Sequence, residues 1–389
     1  MSKFSFPLLG LVSLTMAGFI ATMTETLPAG LLPKIAQELN ISESLAGQLV
    51  TLYGLGSLIA AVPVALATQS WRRRPLLLLT LTTFLIFNTF TAISTNYVFI
   101  LVSRFIAGVA AGVVWGMIAG YGMRMVSEQL KGRATAIVLA GTPIALSLGV
   151  PAGTFLGELV SWRIVFCIMS VLSLIVIGLV LWKVPDFPGQ EPGKRTSVAK
   201  LFRTPGVPTI LFVILVWMLA HNIIYSYIAP FLGNFGLQRY TGLTLLIFGF
   251  AALISVWLIG ALIDRWLRLL VIVSLVIFAV SSLLLAFYSS NIIVVFLSAG
   301  LWGLSFGGSA TLLQTALAQA TGEKAIDIAI PMSATFWNIA IAGGGAIGGI
   351  ILDGLGAKTI PWAIFILIMV ALIVSWIAKN YAFVKVKVK

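Results

Sequence analysis

Residues 6–33 read FPLLGLVSLTMAGFIATMTETLPAGLLP and form the first long apolar run of the chain. The run is long enough to cross a lipid bilayer, which requires about 20 apolar residues. It nevertheless contains an acidic residue, Glu25. A charge in the hydrocarbon region costs roughly 3 kcal/mol on insertion scales, so such a residue usually faces a water-filled cavity or a partner. The run therefore predicts a membrane span that contains a buried ionisable group.

The composition of the whole chain also places it in a membrane. Of the 389 residues, 60% are hydrophobic and 9% are charged, whereas about 25% of the residues of a soluble domain are charged. The net charge of +13 does not indicate nucleic-acid binding, because the basic residues lie between apolar runs. With one cysteine, Cys167, and one histidine, the sequence predicts no disulfide framework, no metal site and no cofactor.

Apolar runs fill the chain from end to end, so we expect an all-α integral membrane protein without an extramembrane domain. We also expect the first run to remain as a span, because it is long and many further spans follow it. The sequence predicts 12 transmembrane helices, at 6–33, 45–68, 75–94, 97–122, 134–156, 162–183, 207–230, 242–262, 269–288, 291–316, 328–351 and 360–379.

One polar connection divides these helices into two groups of six. It predicts an N-terminal six-helix bundle at 1–183, a cytoplasmic linker at 184–206 and a C-terminal six-helix bundle with a short basic tail at 207–389. The distribution of Lys and Arg predicts that both termini are cytoplasmic. Only four basic residues then lie outside: Lys34, Arg163, Arg239 and Lys358. We expect the basic tail to rest against anionic lipid.

The two halves also share local patterns. The turn after the eighth span contains Gly260, Asp264, Arg265 and Arg268, and the turn after the second span, from Val64 to Arg72, has the same phase. The fourth and tenth spans agree as well, with Gly108 and Gly112 against Gly303 and Gly307. Six spans repeated in one orientation indicate two bundles related by an axis along the membrane normal.

These patterns resemble the major facilitator superfamily, and more narrowly its twelve-span drug:proton antiporters, over essentially the whole chain. The second-half turn matches the cytoplasmic gating signature of that superfamily, but the first-half turn has Thr68 where an acidic residue is expected. Arg104, followed by Gly108 and Gly112, is similar to a motif whose arginine is associated with proton transfer. The stretch around Glu25 is similar to that of bacterial drug, sugar or nucleoside exporters, which implies the bacterial cytoplasmic membrane.

The fifth span is similar to the antiporter motif that is found mainly in exporters. Its glycines and prolines also permit close helix packing and a kink without any directional meaning. Both interpretations stay open for these residues: Gly141, Pro143, Gly149, Pro151 and Gly153.

Glu25 and Arg104 are the predicted proton-coupling residues. Both are expected in the outer half of the membrane, at similar depth. If they pair closely, the attraction keeps Glu25 ionised; if they stay apart, burial favours the protonated carboxyl group. The alternative is that Glu25 is a structural carboxylate tied to a backbone amide or to Arg104.

The resemblance implies that spans 1, 4, 7 and 10 line a central cavity. Trp217, His221 and Tyr225 recur every four residues and so share one face of the seventh span. For His221 the ordinary alternative is a hydrogen bond to a neighbour, and for each aromatic residue it is helix packing or an interfacial belt. The complete set of predicted cavity residues is Trp115, Met117, Trp217, His221, Asn222, Tyr225, Tyr227, Trp302, Phe306, Gln314, Trp337 and Asn338.

The sequence thus predicts a non-enzymatic, monomeric, proton-coupled exporter of small amphipathic solutes, with protons, substrate and the bilayer as its partners. A sugar or nucleoside exporter, an uptake symporter and a non-transporting membrane receptor remain alternatives. The glycine strings, such as Gly343 to Gly345, lie in apolar spans and follow no predicted strand, so they do not indicate a nucleotide site.

Overall fold

The computed structural model describes residues 7–68, 70–189, 202–321, 326–380 and 382–383. Within these ranges every regular element is a helix. The α-helices are α1 (Leu8–Leu39), α2 (Glu43–Ile59), α3 (Ala65–Thr68), α4 (Arg73–Ile93), α5 (Tyr97–Arg124), α6 (Lys131–Leu139), α7 (Gly141–Ile144), α8 (Val150–Leu159), α9 (Trp162–Lys183), α10 (Val207–Gly233), α11 (Thr241–Tyr288), α12 (Ile292–Phe306), α13 (Ser309–Thr321), α14 (Ile326–Leu355) and α15 (Ile360–Ile377).

Ten helical segments in the described part of the chain are long and apolar enough to cross a membrane, so the protein is a multi-pass membrane protein. Two features of the structure explain why ten segments qualify and not the 12 that the sequence predicts. The predicted eighth and ninth spans are continuous in Gln238–Tyr288, whose 51 residues exceed what one crossing needs, and the helix bends at Trp266 (φ −128°, ψ 22°). The predicted second span is divided by a π-helical turn, Ala60–Val64, which contains Pro63.

Helix α1 lies at the centre of the first half and packs against α2, α5, α8 and α9. Small residues allow the closest of these contacts. Gly141 faces the backbone of α1 at Thr15 and Phe19, and Gly149 and Gly153 face the side chains of Met23 and Leu27. The close-packing interpretation of the fifth-span glycines is therefore met in the structure, and their association with export stays a prediction.

Proline shapes the same region. Pro143 lies in α7 and Pro151 in the first turn of α8, on either side of a second π-helical turn, Ala145–Gly149. Because proline lacks an amide donor and clashes with the preceding turn, it favours such departures from regular α-helix. The predicted fifth span is consequently a chain of short helices from Lys131 to Leu159.

The two halves of the chain pack against each other through α1 with α10, α2 with α14, and α8 with α11. At the N-terminal end of α2, the Tyr227 hydroxyl donates a 2.6 Å hydrogen bond to the backbone oxygen of Gly345 and lies against Gly47. Gly349 faces Ser44 of α2 at the same level. We call these residues, Ser44, Gly47, Tyr227, Gly345 and Gly349, the closed end.

At the opposite end, residues 184–188 run across the ends of α4 and α5. Asp186 accepts hydrogen bonds from the Arg72 side chain and, at 3.1 Å, from the Arg74 amide. Tyr121 and Arg124 donate to the backbone oxygens of Pro185 (2.7 Å) and Pro188 (2.8 Å). We call residues 184–188 the strap.

The strap consists of the first residues of the expected linker at 184–206. These residues are held against the ends of α4 and α5 by hydrogen bonds. Asp186 supplies the acidic partner that Thr68 does not, and the Thr68 hydroxyl bonds to the Val64 backbone oxygen of its own helix instead. Residues 190–201 of the linker lie outside the described residues, as do residue 381 and residues 384–389 of the basic tail.

We predict that Asp186→Asn destabilises the protein at neutral pH and not in acid. Burial raises the pKa of Asp186, but hydrogen bonds from Arg72 and the Arg74 amide, together with the Arg72 charge, outweigh it and hold the pKa below the ordinary 3.8. A depressed carboxyl pKa contributes stability above the unfolded-state pKa, and this contribution disappears as the pH falls through the folded-state pKa.

Thermal unfolding in detergent between pH 7 and pH 3 tests this prediction. The melting temperature of Asp186→Asn should lie below that of the wild type at pH 7 and approach it below about pH 4. Asp353→Asn, at an exposed position, is the matched control and should change little. If the difference in melting temperature between the wild type and Asp186→Asn stayed constant with pH, it would contradict the stabilising role of the ionised Asp186 carboxylate.

Candidate functional site

Arg104 lies on α5 and is fully buried between α1, α2 and α9. Its Nε donates to the backbone oxygen of Leu49 (3.3 Å), and one terminal nitrogen, Nη2, approaches the backbone oxygen of Glu25 (3.4 Å). The guanidinium carbon lies 4.9 Å from the centre of the Tyr53 ring, within the range of a cation–π interaction. Among the described residues, the other terminal nitrogen, Nη1, has no hydrogen-bond partner.

Arg104 and Glu25 therefore lie at the same depth, as their positions in the sequence predict. The helices are brought together at this level by glycine, because Gly108 of α5 faces the backbone of Tyr53 and Gly56 of α2 faces the backbone of Phe105. Tyr53 in turn donates a 2.7 Å hydrogen bond to the Ala21 backbone oxygen of α1. One buried guanidinium and one phenol thus tie α1, α2 and α5 together next to Glu25.

The Glu25 side chain is partly buried. Arg104 meets the backbone of Glu25, and within the described residues the Glu25 carboxylate forms neither an ion pair nor a hydrogen bond. Its electrostatic neighbours are Arg104, Tyr53 and, from the second half of the chain, Tyr225. The Glu25 carboxylate thus lies within electrostatic range of residues from both halves of the chain.

The second half presents an aromatic cluster to this junction, formed by His221, Tyr225, Phe248, Trp302 and Phe306. The rings of His221 and Phe306 are stacked with centres 3.4 Å apart, and those of Phe248 and Trp302 are 4.2 Å apart. Trp302 Nε1 donates a 3.1 Å hydrogen bond to His221 Nδ1. Because Nδ1 is an acceptor, His221 is neutral here and carries its proton on Nε2.

Tyr225 connects the aromatic cluster to Glu25. Its ring lies 5.3 Å from His221 and 5.9 Å from Trp302, and its hydroxyl lies close to Thr26 of α1. The hydroxyl is buried and has no hydrogen-bond partner of good geometry among the described residues. A buried unpaired hydroxyl costs about 1–3 kcal/mol, so its position favours a ligand, a water molecule or a change of conformation that supplies a partner.

The structure brings together His221, Tyr225, Trp302 and Phe306 of the predicted cavity residues, and it distributes the others more widely. Asn222 bonds to the Met218 backbone oxygen of its own helix, and Tyr227 belongs to the closed end. The remaining positions are given by burial: Trp217 and Met117 are buried, Trp115, Trp337 and Asn338 are partly buried, and Gln314 is exposed.

Two aromatic residues of the site, Tyr53 and Phe248, were not predicted. They belong to α2 and α11, whereas the expected lining came from other spans. The signal for Tyr53 was present in the sequence, since Gly56, Gly108 and Gly112 allow α2 and α5 to approach closely. Phe248 has no comparable signal, because one phenylalanine among many in an apolar helix is indistinguishable from a lipid-facing residue.

The predicted gating turn lies where α11 bends. Gly260, Asp264 and Arg265 are exposed, and Arg268 donates a 3.1 Å hydrogen bond to the Trp376 backbone oxygen at the end of α15. The turn therefore contacts its own half of the chain, and its gating role stays a prediction. In the described part of the chain, no group of three or more His, Cys, Asp or Glu side chains is arranged to hold a metal ion.

We predict that the effects of replacing Glu25 and Arg104 on stability are not additive. Arg104→Gln should cost more stability with Glu25 present than in the Glu25→Gln background, because the guanidinium and the carboxylate attract each other at low dielectric. The coupling free energy should be about 1 kcal/mol or more. The free energies of unfolding of the wild type, the two single variants and the double variant at pH 8 give this coupling. In the control cycle Lys183→Gln takes the place of Arg104→Gln, and its effect and that of Glu25→Gln should be additive. Additivity in both cycles would contradict the electrostatic contact.

We further predict that Trp302→Phe destabilises the protein by about 1 kcal/mol or more, because it removes the donor to His221 Nδ1 and leaves that nitrogen unpaired. Trp257→Phe is the matched control, since Trp257 is 73% exposed and should tolerate the change. Chemical or thermal unfolding of both variants provides the comparison. Equal small effects of the two substitutions would show that the Trp302–His221 bond contributes nothing.

Solved structures of known transporters share the fold. A mutant form of the nucleoside transporter NupG superposes with a TM-score of 0.75, covering 96% of this chain and 99% of its own, at 15% identity. The human organic anion transporter MFSD10 (TETRAN) superposes with a TM-score of 0.67, covering 95% and 99%, also at 15% identity. At such low identity these likenesses establish the fold alone.

Two curated relatives have higher sequence identity to this chain than these solved structures do. The purine ribonucleoside efflux pump NepI of Escherichia coli (strain K12) is 31% identical over 341 residues, which cover 86% of this chain and 85% of the relative. The protein of the same name from Shigella sonnei (strain Ss046) is 30% identical over 340 residues, with the same coverage. The sequence profile of the Major Facilitator Superfamily matches residues 14–325. The chain therefore belongs to the Major Facilitator Superfamily, as the resemblance of its motifs predicts.

Proposed function

We propose that the protein is a proton-coupled exporter of small amphipathic solutes that works by alternating access. The observation that carries this proposal is the position of Glu25 at the junction of the two halves, near Arg104 and Tyr225, with a carboxylate that no described residue pairs. Membership of the Major Facilitator Superfamily supports transport, and the similarity to proteins named efflux pumps supports the export direction.

The proposed topology has 12 spans, both termini in the cytoplasm, and a monomer in the bacterial inner membrane. In this arrangement Gln238–Tyr288 crosses the membrane twice, and α2, the π-helical turn and α3 together form the second span. The chain then consists of two bundles, 1–183 and 207–389, joined by 184–206. The closed end lies outside and the strap lies in the cytoplasm, where the Arg72 to Arg74 cluster satisfies the preference for basic residues.

Glu25 is the proposed proton carrier and Arg104 the residue that modulates it. When the site is protonated, the neutral carboxyl group is stable in its partly buried position; when the proton leaves, the nearby guanidinium stabilises the carboxylate. Substrate and proton then occupy the junction alternately. In the proposed cycle, a rocking motion of the two bundles changes which side of the membrane Glu25 faces. Helix α1, which carries Glu25, contacts α10 of the other bundle, so this motion alters the surroundings of Glu25.

Purine ribonucleosides are the first substrates to test, because the relatives carry that substrate in their names. The aromatic cluster fits this choice, since flat bases stack on aromatic rings and the Tyr225 hydroxyl and His221 Nε2 supply polar contacts. Sugars and cationic drugs are the other candidate solutes. Uptake by symport and ligand binding without transport are the alternatives that the same experiment separates.

Transport into proteoliposomes tests the proposal. An antiporter should accumulate labelled adenosine in vesicles with an acidic interior, because proton exit drives solute entry whatever the orientation of the protein. Glu25→Gln should lose this dependence on the pH gradient and retain exchange of labelled for unlabelled solute, which needs no net proton movement. Glu43→Gln, at the partly exposed start of α2, is the matched control and should behave as the wild type.

Other outcomes have definite meanings. Accumulation that occurs only when the outside is acidic would show symport, and binding without solute movement would show a receptor. Gradient-driven accumulation by Glu25→Gln at the wild-type rate would rule out Glu25 as the proton site.

A further inference from the structure

A recess of about 650 Å³ opens at the bend between the two arms of α11, near the cytoplasmic surface of the proposed topology. Its wall includes three basic residues, Arg265, Arg268 and Lys379, and one acidic residue, Asp264. Basic residues therefore dominate its charge. The recess is separate from the junction of the two halves, because its lining includes neither Glu25 nor any residue of the aromatic cluster.

A second concave surface continues from this recess along the outside of the protein. It is lined only by apolar residues of α11 and α15: Ile272, Val276, Leu372, Ile373, Trp376 and Ile377. Its volume is about 270 Å³, and it shares Ile272 and Trp376 with the recess. The two therefore form one continuous surface with a basic mouth and an apolar groove.

Two exposed tryptophans indicate the depth of the basic mouth in the membrane. Trp266 and Trp376, which are 53% and 64% exposed, both line the recess. Exposed tryptophans concentrate at the level of the lipid headgroups. From Arg268, the groove extends along α11 to Val276, eight residues or about 12 Å further into the hydrocarbon region.

We propose that this surface is a binding site for one anionic phospholipid of the cytoplasmic leaflet. The basic mouth binds the phosphate-containing headgroup, and the apolar groove between α11 and α15 holds an acyl chain. Charge complementarity selects this occupant, since cytoplasmic leaflets are rich in anionic lipid and each nearby Lys or Arg strengthens binding about fivefold. A soluble anion would leave the apolar groove empty, and a neutral lipid would leave the basic mouth unpaired.

The site also has a structural consequence for the bend in α11. Arg268 already bonds to the Trp376 backbone oxygen, which joins α11 to the end of α15. A headgroup that binds Arg265, Arg268 and Lys379 connects the same two helices a second time. The lipid is therefore expected to stabilise the contact between α11 and α15 rather than the site at Glu25.

Native mass spectrometry of the purified full chain tests the proposal with phosphatidylglycerol and phosphatidylcholine of identical acyl chains. Wild-type protein should retain one tightly bound phosphatidylglycerol in preference to phosphatidylcholine. The double variant Arg265→Gln with Lys379→Gln should bind phosphatidylglycerol roughly 25-fold more weakly, from two residues at about fivefold each. Both residues are exposed, so the fold should tolerate their replacement.

Two further variants separate the mouth from the groove. Val276→Trp fills the groove at a position that is 43% exposed and should weaken the binding of phosphatidylglycerol without any change of charge. Arg239→Gln with Lys358→Gln removes two charges at exposed positions outside both surfaces and should leave binding unchanged. Equal binding of the two lipids by the wild type, or equal losses in the two double variants, would overturn the proposed site.

Discussion

The burial of Arg104 is the constraint on which the first half of the structure depends. A guanidinium inside a membrane protein needs nearby acceptors, because no bulk water is present to solvate it. Here the acceptors are backbone oxygens of α1 and α2, and the Tyr53 ring adds a cation–π contact. These contacts require α1, α2 and α5 to approach closely, and the glycines of α2 and α5 make that approach possible. The arrangement leaves one guanidinium nitrogen and the Glu25 carboxylate without partners among the described residues.

The second half contributes aromatic side chains to this site and no charged side chain among the residues described above. Tyr225 approaches Thr26 and Glu25, and behind it His221 is held by the hydrogen bond from Trp302 and by stacking on Phe306. A neutral histidine in an aromatic cluster adds no charge that would compete with Arg104 for Glu25. The two halves thus contribute different properties to the junction: the first supplies an acid and a cation, and the second supplies flat apolar surface with a few hydrogen-bonding groups. That division is what the proposed exchange of protons for an aromatic solute requires.

The sequence predicted the features that depend on composition and on helical position. Hydropathy identified the membrane helices, and counting along spans 1 and 4 placed Glu25 and Arg104 at one depth. It did not predict contacts that depend on how helices associate. Phe248 joins the cluster through the packing of α11 on α12, and Asp186 meets Arg72 although it lies in a stretch with the composition of a linker. Twelve apolar runs became ten qualifying helical segments because α11 continues through its bend at Trp266 and because Pro63 lies in a π-helical turn.

The central claim is that substrate and proton compete at Glu25, and proton release from the purified protein measures this directly. Adenosine, a sugar and a cationic dye are added in turn to weakly buffered protein near neutral pH, and the released protons are counted with a pH indicator. The account predicts release on addition of the transported solute by the wild type and none by Glu25→Gln that still binds that solute. Equal release from both proteins, or binding to the wild type without any release, would contradict it.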